Sequence, residues 1–154
     1  MCASAGKLVE MERPYIRKSD GSVRQGSAVV PGENRELRLS PGDLSFIRID
    51  HQTRLQFGST EVVIECPFTL AREGVVHELD PEQRRDLGPL LQLYPDRLDS
   101  ATVNDEATLR LEFASGASII VPQDFHYEAW QVNGPGTYLI VCMPGADGKL
   151  AVWD

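Results

Sequence analysis

From Leu44 onward the sequence alternates apolar and polar residues in short runs, and each run ends in a turn signal. A period of two sends successive side chains to opposite faces, so a chain written this way makes half-buried strands rather than helices. Phe46–Asp50, Arg54–Gly58 and Glu61–Cys66 form a first set, with Phe68–Arg72 continuing past Pro67 and Val75–Leu79 following the Glu73-Gly74 turn. Pro67 has no backbone donor, which predicts a bulge or a sheet edge there. Leu98–Val103, Thr108–Phe113 and Ala117–Pro122 form a second set. Arg54-Leu55-Gln56-Phe57 parallels Arg110-Leu111-Glu112-Phe113, and Ile64-Glu65-Cys66-Pro67 parallels Ile119-Ile120-Val121-Pro122. Two three-stranded meanders roughly one repeat apart are therefore expected, as a true internal duplication or as the likeness that any two amphipathic meanders share.

Between the two sets the period changes. Asp80 is placed to cap a helix, Pro81 fits a first helical position and Glu82 complements the dipole. Leu87, Leu90, Leu91 and Tyr94 follow at spacings of three and four, an apolar stripe that would cover one sheet face. Gly88-Pro89 weakens the middle of that segment. The spacing predicts one helix over about 81–93. The class expected is α+β, predominantly antiparallel β, with two β-meanders separated by that helix and the C-terminal strands closing the core.

The last thirty residues carry both tryptophans, Trp130 and Trp153. Gln131–Asn133 lead into a Gly134-Pro135-Gly136 turn, Thr137–Met143 is a strand, and Pro144–Gly148 turns the chain into Leu150–Trp153. A chain end this rich in large apolar side chains is expected to enter the core. Residues 1–40 differ, with few large apolar residues and recurrent Gly, Ser, Arg and Glu. They read as a flexible N-terminal extension, with short ordering at Val9–Ile16 or Glu36–Leu39, ahead of a single β-rich globular domain over 44–154.

At 154 residues the chain suits one domain. It has no apolar run long enough for a transmembrane helix and no secretory leader pattern, and its three cysteines form no close-spaced pair. A cytoplasmic location is expected. The net charge is −8, and it is uneven: residues 1–44 hold seven Lys or Arg against six Asp or Glu, and residues 45–154 hold eight against seventeen. An acidic body disfavours nucleic acid and suits a basic protein partner.

No catalytic signature emerges. His126-Tyr127-Glu128 has the His-x-Glu form of zinc nucleobase deaminases, but Cys142 is followed by Met143-Pro144-Gly145, so the second cysteine of that metal site is missing. His51, His77, His126, Cys66 and Cys142 share no ligand spacing, and neither metal nor cofactor is expected. Cys66 and Cys142 sit in apolar strands and read as small buried hydrophobes. Glu128 lies between Tyr127 and Trp130, where it is either a general acid or an acceptor for the Trp130 indole or the turn backbone.

Tyr127-Glu128-Ala129-Trp130, Gly134-Pro135-Gly136, Val141-Cys142-Met143-Pro144-Gly145 and Leu150-Ala151-Val152-Trp153 together resemble the bacterial domain-of-unknown-function family 6188. The likeness covers about residues 44–154. It departs at Ala146-Asp147-Gly148-Lys149, where the family has a short Gly-rich turn. The resemblance implies no activity, cofactor or catalytic residue. By analogy with small acidic β-rich bacterial domains, it implies an immunity-type inhibitor that covers a toxin's active site. The expectation is a non-enzymatic protein-binding domain. Two alternatives stand beside it: a small-ligand or enzymatic pocket around His126, Glu128 and Trp130, and a structural subunit of an assembly.

Overall fold

A computed structural model describes residues 7–9, 16–18, 35–37, 42–134, 139–145 and 149–153. Its strands are β1 (Lys7–Val9), β2 (Ile16–Lys18), β3 (Arg35–Leu37), β4 (Leu44–Ile49), β5 (Thr53–Phe57), β6 (Thr60–Ile64), β7 (Phe68–Arg72) and β8 (Val75–Leu79). After one short helical segment come β9 (Leu98–Val103), β10 (Leu109–Phe113), β11 (Ser118–Val121), β12 (Trp130–Asn133), β13 (Leu139–Cys142) and β14 (Leu150–Trp153). They form two seven-stranded sheets, ordered β1-β14-β13-β12-β6-β5-β4 and β2-β3-β9-β10-β11-β7-β8. Every pairing within them is antiparallel.

The alternation sets the register. In the first sheet Ile47, Leu55, Val62, Val132, Ile140 and Val152 oppose one another strand by strand. In the second, Ala101, Leu111, Ile119 and Leu70 do the same, and the row ends on His77 of β8. A one-residue slip would turn either row to the opposite face, so the shared core pins both. The two rows belong to one buried cluster, and the Phe57 and Phe113 rings meet across it with centroids 6.0 Å apart. Those phenylalanines close the two parallel stretches Arg54–Phe57 and Arg110–Phe113, one in each sheet. β4-β5-β6 and β9-β10-β11 are runs of adjacent strands in their respective sheets.

The chain passes between the sheets at Pro67 and Pro122. Pro67 is exposed where β6 hands over to β7, and Pro122 is exposed where β11 leads toward β12. Pro67 thus marks a crossover rather than a bulge or an edge. The Cys66 thiol lies 3.6 Å from the Pro122 carbonyl oxygen, so the two crossings run side by side.

The helix expected over 81–93 is replaced by a 3₁₀ turn at Arg84–Asp86 and a four-residue helix, α1 (Gly88–Leu91). Asp80 makes a side-chain turn, accepting from the Glu82 N–H at 3.0 Å, and does not cap an α-helix. Around α1, further backbone bonds run three residues apart: Leu87 to Arg84, Leu90 to Leu87, Leu93 to Leu90 and Tyr94 to Leu91. A repeat of three stacks side chains at i and i+3. Leu87, Leu90 and Leu93 are consequently buried, while Leu91 and Tyr94, expected on the inner stripe, are exposed. The segment ties the sheets together, because Arg84 Nε donates to the Asp50 carbonyl at 2.7 Å and Arg72 donates to the Gln92 carbonyl at 2.8 Å.

The extension expected over 1–40 lies for the most part outside the described residues. Of it, β1 pairs with β14, β2 with β3, and β3 with β9. The turns expected at Gly134–Gly136 and Pro144–Gly148 also fall largely outside them, over 135–138 and 146–148.

Candidate functional site

The crossing from β11 to β12 carries the most unusual surface. Asp124 accepts through Oδ1 from the backbone N–H groups of His126 at 2.7 Å and Tyr127 at 3.0 Å. This is the local turn chemistry for which aspartate is suited. The Asp124 carbonyl accepts from the Gly145 N–H at 3.1 Å, and the Gln123 side-chain amide donates to the Met143 carbonyl at 3.2 Å. At the far end, the Ala129 carbonyl accepts from the Glu65 N–H at 2.9 Å. Bonds at both ends therefore fix a loop whose tip is Phe125-His126-Tyr127.

The tip points outward. Phe125 is 67% exposed and Tyr127 71% exposed. His126 sits between them, its ring centroid 5.1 Å from Phe125 and 6.3 Å from Tyr127, both in edge-on arrangement. A lone exposed apolar residue is ordinary, whereas neighbouring aromatic rings on a hydrogen-bonded loop leave apolar area in water that a partner can cover.

Carboxylates surround the loop. Glu128 is exposed, and Glu65 is half-buried beside it. Burial raises the Glu65 carboxyl above its ordinary value, and the neighbouring Glu128 charge raises it further. Glu65 Oε1 accepts from the Gln52 side-chain amide, whose oxygen accepts from Arg54 Nη2 at 2.6 Å. Asp124, Asp80 and Glu65 all act electrostatically on the Cys66 thiol, which places their charges at this end of the molecule.

The three candidate pocket residues do not share a face. Trp130 is fully buried, and its indole N–H donates to the Ala107 carbonyl at 2.9 Å rather than to Glu128. His126 and Glu128 are on the exposed loop. The histidines are also dispersed: His51 lies in the β4–β5 turn, His77 on β8 and His126 on the loop. Among the described residues, no group of three or more His, Cys, Asp or Glu is arranged to hold a metal ion. Also among them, no helix is long and apolar enough to cross a membrane.

Cys66 and Cys142 are buried, and burial pushes both thiols up to about 12. A thiol held that high has almost no thiolate at neutral pH and is a poor nucleophile. In a Cys2→Ser variant, a chromogenic disulfide reagent is expected to titrate no thiol in the native protein and both after denaturation. Stoichiometric labelling of the native variant would contradict the burial.

The aromatic loop is not what sequence reading singled out as a surface. The available signal was Asp124 followed by three aromatic rings in a stretch that breaks the alternation. Comparison with protein families finds that a model described as "Family of unknown function (DUF6188)" matches residues 36–154. The match reaches further toward the N-terminus than residue 44 and takes in part of β3. No curated protein and no solved structure matches the chain.

Proposed function

We propose, for a chain that belongs to the DUF6188 family through residues 36–154, a non-enzymatic role as a cytoplasmic protein-binding domain with a basic partner. The observation that carries this reading is the Phe125-His126-Tyr127 tip, held outward by Asp124 among the carboxylates of Glu65 and Glu128. Aromatic faces attract the cationic heads of arginine and lysine, and adjacent carboxylates add directional acceptors. A rigid loop also loses little entropy on docking. The acidic excess over 45–154 steers such a partner toward the domain. An immunity-type inhibitor, which covers a toxin's active site, is the form of this role that the acidic, β-rich character suits.

The test is capture from an extract of the native cell on immobilised protein, wild type against a Phe125→Ala/Tyr127→Ala variant. A basic protein retained stoichiometrically by wild type, and about tenfold less by the variant, is expected, because exposed aromatic anchors commonly contribute more than about 1 kcal/mol each. Binding should weaken as salt rises. Equal retention by both proteins would remove the loop from the reading, and no partner at any salt would remove the reading.

A further inference from the structure

Each sheet has two edges, and they differ. β1 and β2 are three residues long. β4 carries a register shift between Leu44 and Phe46, and its start is occupied: Leu44 N–H donates to the Asp96 carbonyl at 2.8 Å and Asp43 bridges Arg97. Short length, bulges and covering backbone are the devices that blunt sheet edges. Among the described residues, β8 shows none of them. It is five residues long, pairs with β7 in unbroken register from Phe68–Leu79 to Arg72–Val75, and is the last strand of its sheet. Val75 is 52% and Val76 63% exposed, and Glu78 is exposed as well.

We infer that the outer edge of β8 accepts an added antiparallel or parallel strand from an extended basic segment of a partner protein. The occupant follows from charge. Residues 73–82 contain Glu73, Glu78, Asp80 and Glu82 and no Lys or Arg. A second copy of this chain would bring the same acidic edge and a net charge of −8 against itself. A partner strand with lysine on one face and β-branched residues on the other places cations beside Glu78 and apolar side chains beside Val75, and it extends the inner row that ends on His77. The inference deepens the partner-binding reading and rests on it.

The probe is an end-blocked peptide of alternating lysine and valine, titrated into the full-length protein with residue-resolved amide hydrogen exchange as the readout. Strand addition uses the outward N–H groups of every second residue. Exchange should therefore slow about tenfold or more at alternate amides within 75–79 and stay unchanged in β4. Val76→Lys, at an exposed position, should abolish the slowing without altering the fold. Absence of binding overturns the proposal, as does binding with no alternate-amide slowing. Slowing that grows with protein concentration in the absence of peptide overturns it in favour of a second copy. The Phe125→Ala/Tyr127→Ala variant should bind the peptide unchanged, so failure at β8 and failure of the loop reading are scored separately.

Discussion

Replacing Trp130 with alanine is expected to destabilise the fold by about 3–5 kcal/mol, the range for removing a buried tryptophan. Trp130 is the largest fully buried side chain and sits on the inner row opposite Ile64. Its indole N–H satisfies the Ala107 carbonyl, whose other donor among the described residues is the weak Cys142 thiol at 3.7 Å. Ala107 has a positive φ of 58°. It sits in the β9–β10 turn, where Asn104 Oδ1 accepts from the N–H groups of Glu106 at 3.0 Å and Thr108 at 2.9 Å. The substitution therefore removes core volume from one sheet and a tie to the turn of the other. Urea unfolding followed by circular dichroism measures the loss. Trp130→Phe, which keeps most of the ring and loses the donor, should fall between wild type and alanine. A loss under about 1 kcal/mol for the alanine variant would contradict this role, since that is the scale of a surface change.

Leu90→Ala is expected to cost about 2–5 kcal/mol, while the adjacent Leu91→Ala stays within about 0.5 kcal/mol. Leu90 is 0% exposed and Leu91 52% exposed. The contrast depends on the segment turning Leu87, Leu90 and Leu93 into the core while Leu91 stays outside. A continuous helix over 81–93 with the expected stripe would bury Leu87, Leu90, Leu91 and Tyr94 together and make the two substitutions comparably costly. Equal losses in paired thermal or urea unfolding curves would contradict this burial and favour the continuous helix.

The strands were readable because alternation is local. Leu55 and Phe57, or Leu109, Leu111 and Phe113, are buried two residues apart, and that spacing suffices to place them on one face. The covering segment departs from its spacing for a related reason. Spacings of three and four suit an α-helix, but Gly88-Pro89 interrupts the segment, and what forms is a 3₁₀ turn at Arg84–Asp86 followed by an α-helix of only four residues at Gly88–Leu91. Sheet membership was not readable, because Pro67 announces an interruption without saying that the chain crosses the core there. Trp130 and Glu128, two residues apart, looked like neighbours on one surface. Strand β12 begins at Trp130, so the indole turns into the core toward Ala107, while Glu128 stays on the loop. That the loop displays Phe125 and Tyr127 depends on Asp124 meeting Gly145 and Gln123 meeting Met143, and contacts between residues some twenty positions apart leave no local pattern.

The most direct measurement is the footprint of the captured partner on the full-length protein, by residue-resolved amide exchange at low and high salt. Slowed exchange over residues 124–128 at low salt, relieved as salt rises, is the expected result. A bound partner that leaves 124–128 unchanged at every salt concentration would contradict the assignment of this loop as the binding surface.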